Sequence, residues 1–412
     1  MKLLYYTFLL FPFILCGQNS DLNRSKKVVF IIVDGISYDQ LQTAATPHID
    51  RIGKAGNLTE AYVGGTAEDY RKTPTISAVG YNSLLTGTWA NKHNVYGNSI
   101  KNPNYSYPSI FRLYKDYNPK GTIAVFSSWL DNRTKLVGDG LEATDRIKVD
   151  YAYDGLEYDT INYPHDKYGN FMKLIDVHVA KEASKTILEE APDISWIYLE
   201  YTDDIGHEYG DGPHFNAAVT FEDGLIGQIY DAVTQRQKNT NEDWLFVVTT
   251  DHGRSLKDGK DHGGQSARER STWILTNKNN TNSYFKNETP AIVDICPTII
   301  DFLDINVPKN IKRELDGVSL MEPVHAMNLS AKIEEDTLFL TWKALQNHQE
   351  KAKIYISPTN LATTKGTDAY TYLGEVEVTK ESYQTVIKSI ESNFYKVVLE
   401  TENTTLNYWI NK

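Results

Sequence analysis

The chain has 412 residues, of which 41% are hydrophobic and 23% charged, and its formal net charge is −12. That length accommodates two domains. No basic patch stands out, so a nucleic-acid polymer is excluded as the expected partner. Only Cys16 and Cys296 are present, and the first sits in an N-terminal apolar run, so an intramolecular disulfide is excluded too.

Lys2 precedes the apolar run Leu3–Cys16, and Gln18-Asn19-Ser20-Asp21 is polar. Residues 1–17 therefore read as a secretory signal peptide, too short to span a bilayer. The mature protein is expected to be exported, to a periplasm or the extracellular space. Cys16 is a candidate lipid-attachment cysteine, although Leu15 is bulkier than the residue such signals usually carry there. No later apolar stretch approaches membrane length.

The first strand is Lys27–Val33, a continuous apolar run that ends in Asp34-Gly35. Thr46-Pro47 marks a helix start. The segment Lys72–Gly87 suits a helix beginning at or near Ser77, whose hydroxyl would face the positive helix end; the alternative is a simple N-cap serine. Gly121–Phe126 is a strand, His178–Glu190 an amphipathic helix, Ile194–Tyr201 a strand and Phe215–Gln235 a long helix. Leu245–Thr250 is a further buried strand, delivering Asp251-His252-Gly253, and Asp261-His262-Gly263-Gly264 follows in a glycine-rich loop. Strands alternating with helices predict an α/β domain with a mostly parallel sheet over residues 27–325. Cys296, inside Ile292–Ile300, reads as a buried inert thiol. Beyond residue 325 the pattern changes to short alternating runs: Leu329–Glu334, Thr337–Trp342, Lys353–Ile356, Tyr370–Val376, Gln384–Ile387, Phe394–Glu400 and Leu406–Ile410. They predict a β-sandwich over 328–412 with Trp342 and Tyr395 in its core. This part resembles a fibronectin type III module, and a docking or spacer role is expected of it.

Asp34, Asp203, His207, Asp251, His252 and His262 are the candidate metal ligands. Open α/β sheets bind ligands at the carboxyl ends of their strands, which is where these residues fall. Asp203 and His207 are four apart, and one helical turn would put both on one face. Six mixed oxygen and nitrogen donors suit two zinc ions with three protein ligands each, manganese being the alternative, whereas magnesium would favour oxygen. Two divalent ions against three carboxylates leave one positive charge, which a Ser77 alkoxide would match. A site of this kind wants an anionic ester.

Together these residues resemble the alkaline phosphatase superfamily, and within it the nucleotide pyrophosphatase/phosphodiesterase branch. The matching pieces are Val33-Asp34-Gly35, the spacing from Ser77 to Leu84-Leu85-Thr86-Gly87, Asp203-x-x-Gly206-His207-x-x-Gly210, Asp251-His252-Gly253 and His262. Val293–Ile300 and Leu315–Leu320 resemble sulfatase-like closing segments. The resemblance implies that Asp34, Ser77, Asp251 and His252 hold one metal and Asp203, His207 and His262 the other. It makes Ser77 the nucleophile, with Thr75 the runner-up, and Asn98 a donor to a phosphate oxygen. A turn role is the alternative for Asn98.

Two departures bear on the reaction. Ser77-Ala78-Val79-Gly80-Tyr81 lacks the Pro and Arg of a type I sulfatase, which makes sulfatase activity a poor choice. No Lys-x-Arg pair like that of some monoesterases follows the 121–126 strand; Ser127-Ser128-Trp129 leads to Arg133 instead. Arg133, Arg268 and Arg270 are the residues that would have to supply that charge, and Trp129 is a candidate stacking surface. The expected activity is that of a secreted zinc-dependent phosphodiesterase or nucleotide pyrophosphatase, hydrolysing a small anionic phosphate ester through a phosphoseryl intermediate. The alternatives are an alkaline phosphomonoesterase and a non-catalytic surface-binding protein.

Overall fold

The computed structural model describes residues 24–345, 350–388 and 390–411. The expected signal peptide and Cys16 lie outside them. Seven strands form the main sheet: β1 (Ser25–Val33), β2 (Asn57–Tyr62), β3 (Ile123–Ser127), β4 (Tyr151–Tyr153), β5 (Ile194–Leu199), β6 (Glu242–Thr249) and β7 (Ser271–Thr276). Their order is β2-β7-β6-β1-β5-β3-β4. β1 is parallel to both β5 and β6, and β3 is parallel to β4 and β5. β7 runs antiparallel to β6 and β2.

β1 shows why the sheet is buried on both sides. Val28, Phe30 and Ile32 join the core on one face, and Val29, Ile31 and Val33 join the core on the other. A strand covered on both faces has no polar side to offer, hence its unbroken apolar run. The second core is closed by the helices Asn170–Glu189 and Pro213–Asn239. The first starts eight residues before the expected His178, because Met172 and Ile175 already belong to its buried face. Cys296 is free and fully buried, and burial pushes its thiol up, as an inert core cysteine requires.

All seven C-terminal strands appear where the alternation placed them: β8 (Ala326–Glu334), β9 (Thr337–Ala344), β10 (Lys351–Ser357), β11 (Thr371–Glu377), β12 (Ser382–Val386), β13 (Phe394–Glu400) and β14 (Thr405–Asn411). They make two antiparallel sheets, β12-β9-β8 and β11-β10-β13-β14. Trp342 and Tyr395 are in the core between them.

This all-β unit is docked on the α/β part through buried charge. The Lys92 ammonium donates to Glu314 O (2.7 Å), Asp316 Oδ1 (2.5 Å) and Asn407 Oδ1 (2.8 Å). Lys396 donates to Glu314 Oε1 (2.6 Å) and Asp368 Oδ2 (2.8 Å). Tyr70 stacks on Trp409 with centroids 5.6 Å apart, and its hydroxyl accepts from Trp409 N at 2.8 Å. Buried ions of this kind are tolerated only when every partner is present. Replacing Lys92 by methionine would strand Asp316, whose side chain is only 4% exposed. We expect Lys92→Met to destabilise the protein by about 3–5 kcal/mol, measured by equilibrium chemical denaturation.

Candidate active site

The site lies at the carboxyl edge of the parallel strands. Asp34 follows β1 directly, and its N–H donates to Leu199 O at the end of β5 (3.0 Å). Asp251 follows β6 by two residues, and its Oδ1 accepts from Gly35 N (3.1 Å). Both carboxylates are buried, with Asp34 1% and Asp251 0% exposed. His252 Nε2 stands 3.3 Å from Asp34 Oδ1 and 3.3 Å from Asp251 Oδ2. Its Nδ1 lies 3.0 Å from Gly253 O, an acceptor that fixes the proton on Nδ1 and aims Nε2 inward.

The segment after β5, left open between loop and helix turn by its spacing, is the helix Tyr201–Tyr209. Asp176 caps its start by accepting from Glu200 N (3.0 Å) and Tyr201 N (2.7 Å). One turn then brings His207 Nε2 to 3.3 Å from Asp203 Oδ2. His262 completes this second group: its Nε2 is 3.2 Å from His207 Nε2, and its Nδ1 lies 2.9 Å from Thr75 O. The His252 and His262 rings stack at 3.7 Å, joining the two groups. Asp203, His207 and His262 offer ligand atoms within 4.8 Å of one another, and so do Asp34, Asp203 and His252.

Ser77 opens the helix Ser77–Thr86, with its Oγ 3.4 Å from His252 Nε2. Gly80 lets that helix lie against Asp251, because a Cβ there would come within 2.6 Å of Asp251 O. Thr75 lies close by, but its hydroxyl is committed, donating to Gly264 O (2.9 Å) and accepting from Gly263 N (3.0 Å). Asn98 Oδ1 accepts from Ala78 N at 3.0 Å, beside Ser77. A backbone N–H needs an acceptor, so the amide is oriented with Nδ2 left to donate. All seven ligand candidates and Asn98 are thus brought to one place.

The electrostatics show what this place lacks. Asp34 Oδ1 and Asp251 Oδ2 are buried with no hydrogen-bond partner among the described residues. Burial, then the neighbouring Asp34, pushes the Asp251 carboxyl well above the usual range. Burial acts to lower His252, yet Asp251 and Asp34 raise it to about 9. Burial lowers His262 to about 4, helped by His252. Unmatched carboxylate oxygens facing imidazoles form a site short of positive charge, and divalent cations fit it. Concavity alone would not have found it: a cavity of about 210 Å³ lies instead between the two parts of the chain, lined by residues such as Tyr107 and Glu314.

Three site residues had no signal in the spacing. Tyr81 and Tyr198 both donate to Asp34 Oδ2, the latter at 2.7 Å, which leaves Oδ1 for a cation. Arg254, fully buried, donates to an Asp203 carboxylate oxygen. It directly follows Asp251-His252-Gly253, the one hint the sequence carried. The three arginines considered as phosphate grips are engaged elsewhere. Arg133 pairs with Asp139 and Asp154, Arg268 with Asp39 and Asp211, and Arg270 donates to Val63 O and Gly65 O. Trp129 is half-buried, packed on the core and at a steep angle to Tyr81, with centroids 6.3 Å apart.

A mostly parallel sheet between helices, with carboxylates and imidazoles converging beside a helix-start serine at one sheet edge, defines an α/β protein with a candidate cation site. The chain belongs to the type I phosphodiesterase/nucleotide pyrophosphatase family, whose model matches residues 28–338. It is 24% identical over 399 residues to GPI ethanolamine phosphate transferase 2 of Saccharomyces cerevisiae, covering 85% of this chain and 44% of that protein. The chain thus spans less than half the length of that relative. Among solved structures it is similar to a 2-O GAG sulfatase (TM-score 0.55, 13% identity, 89% of this chain and 86% of that one). It is also similar to murine ectonucleotide pyrophosphatase/phosphodiesterase 5 in complex with AMP (TM-score 0.50, 14% identity, 69% of this chain and 97% of that one). Among the described residues no helix is long and apolar enough to cross a membrane.

A cation that binds here must displace protons. With His252 raised to about 9, that imidazole is protonated at pH 7.5 in the metal-free protein. Zinc binding at pH 7.5 should therefore release at least one proton per site pair, and affinity should rise with pH until about pH 9. Titration calorimetry in buffers of different ionisation enthalpy reads this; buffer-independent heats would contradict it.

Proposed function

We propose that the protein is an exported, metal-dependent phosphodiesterase that acts through a phosphoseryl intermediate on Ser77. In this reading Asp34, Ser77, Asp251 and His252 hold one zinc ion and Asp203, His207 and His262 the other, with manganese the alternative metal. The ions would supply positive charge to the attacking oxygen and the leaving oxygen. Ser77 Oγ bonds to phosphorus as the ester P–O bond breaks, and the leaving alcohol departs on the opposite side. Water then cleaves the Ser77–phosphorus bond. Asn98 Nδ2 donates to a non-bridging oxygen throughout.

The observation that carries the diester preference is the charge balance. Two divalent ions and the buried Arg254, set against three carboxylates and a Ser77 alkoxide, leave one positive charge, which matches the single charge of a diester. The engagement of Arg133, Arg268 and Arg270 supports the same reading, since a monoester dianion would need a further cation. On bis-nitrophenyl phosphate against nitrophenyl phosphate we expect kcat/KM to favour the diester by about tenfold or more, about 1.4 kcal/mol of differential transition-state binding. A preference for the monoester would overturn the reading. Ser77→Ala should lose about a thousandfold or more on either substrate while melting like the parent.

The similarity to an ethanolamine phosphate transferase favours a second outcome, in which an alcohol replaces water as acceptor. Assays containing glycerol, with product analysis for glycerol phosphate esters, separate the two.

We further read residues 328–412 as a fibronectin type III-like module and 27–325 as the catalytic domain. The strand order of the two C-terminal sheets supports this, as does Tyr395 near the start of β13. Its hydroxyl donates to Ile390 O and accepts from Ser392 N, each at 2.8 Å, the corner arrangement of such sandwiches. Docking to a surface or partner is the role proposed for it.

A further inference from the structure

We propose that Arg254 is a positioning residue that keeps Asp203 a one-oxygen ligand, so that the ion held by Asp203, His207 and His262 retains an open position for substrate. This rests on reading those three residues as ligands.

The Arg254 guanidinium is fully buried over the Phe215 ring, and its hydrogen bonds among the described residues go to ligand-bearing segments. Nε donates to Gly35 O (2.9 Å), next to Asp34. Nη1 donates to Lys260 O (3.2 Å), in the loop that carries His262. Nη2 donates to Asp203 O (3.1 Å) and to Asp203 Oδ1. One rigid fork thus ties three separate pieces of chain, which a lysine ammonium, a point donor, would not reproduce.

Two glycines make room for it. A Cβ on Gly35 would fall 2.6 Å from Nη2, and one on Gly206 would overlap the guanidinium carbon. This gives a physical reason for the glycine between Asp203 and His207.

A carboxylate binds a cation through one oxygen, through both, or by bridging two cations. Asp203 has the opportunity for all three, since it lies within ligand distance of both Asp34 with His252 and His207 with His262. Arg254 removes two of them. It occupies Oδ1, and a cation there would meet a guanidinium at close range in a dry environment. His262 Nε2 stands 4.0 Å from Oδ1, so without the guanidinium that oxygen could close on the shared ion. Oδ2, 3.3 Å from His207 Nε2, is left as the only ligand oxygen. A carboxylate oxygen and two imidazoles leave a fourth position open, the arrangement of a catalytic rather than a structural zinc site.

The test uses the purified full chain, stripped with a chelator and titrated with Co²⁺, whose visible absorption is intense in four-coordinate sites and weak in five- or six-coordinate ones. Inorganic phosphate serves as the probe of the open position. The wild type should bind two Co²⁺ and change its spectrum on adding phosphate. Arg254→Met should still bind Co²⁺ but lose the intensity belonging to one ion, about half of the total, together with the phosphate response. Gly206→Ala, which displaces the guanidinium while keeping its charge, should do the same, and it decides the matter if Arg254→Met does not fold. Folded variants of both kinds with the wild-type spectrum and phosphate response would overturn the proposal. A wild type that binds no Co²⁺ would instead overturn the ligand assignment itself.

Discussion

The structure depends on one electrostatic constraint: three aspartates are held at the end of a single sheet with too little positive charge among them. Asp34 and Asp251 end adjacent hydrogen-bonded strands, so the β1–β6 register brings them together whether or not they repel. That cost is met by the sheet. β1 buries six consecutive apolar residues on two faces, and its parallel pairing with β5 and β6 fixes where it ends. The residues around the acids divide the remaining work. Tyr81 and Tyr198 satisfy one oxygen of Asp34, Gly35 N satisfies one of Asp251, and Arg254 satisfies one of Asp203. Each carboxylate therefore keeps one oxygen without a strong donor, and those oxygens face the imidazoles. Unmatched oxygens of this kind are what make the cluster a candidate cation site.

Much of this was legible in the sequence, and the reason is local. A fully buried parallel strand must be apolar along its whole length, so the abrupt Asp at its end stands out. β1, β5 and β6 were found that way, and the candidate ligands with them. β2 and β7 were not singled out. Asn57–Tyr62 has no apolar run, and its pairing with Ser271–Thr276 across more than two hundred residues leaves no local trace. The seven C-terminal strands were found because a two-faced antiparallel sheet writes its alternation into each strand separately.

Arg254 shows the opposite case. After Asp251-His252-Gly253, an arginine reads as an exposed loop cation, the common fate of that side chain. Its burial is decided by the nearby Lys260 carbonyl, by acceptors from Gly35 and Asp203 and by the missing side chains of Gly35 and Gly206, and these last are distant in sequence. Tyr81 was equally hidden, because within Ser77–Thr86 every residue is buried and helical periodicity cannot separate the face toward the site from the face toward the core.

The same buried helix links the C-terminal part of the chain to the candidate site without that part reaching it. Ser77 is useful only if its Oγ stays in register with His252, and the helix behind it is fixed at both ends. At the start, Asn98 holds Ala78 N and Gly80 rests on Asp251. At the far end Gly87 adopts a left-handed conformation (φ 63°), which a side chain would strain, and its carbonyl accepts from Asp316 N at 2.8 Å. Asp316 in turn takes Trp89 N and the Lys92 ammonium, and Lys92 reaches Asn407 of β14. The segment around Asp316 is itself pinned where Asp294 Oδ1 accepts from Val318 N (2.8 Å). The two closing segments therefore meet behind the helix Ser77–Thr86, and β14 completes that clamp. A helix so confined leaves the Ser77 hydroxyl little freedom to turn away from His252, a preorganisation of the kind that orientation-dependent chemistry uses.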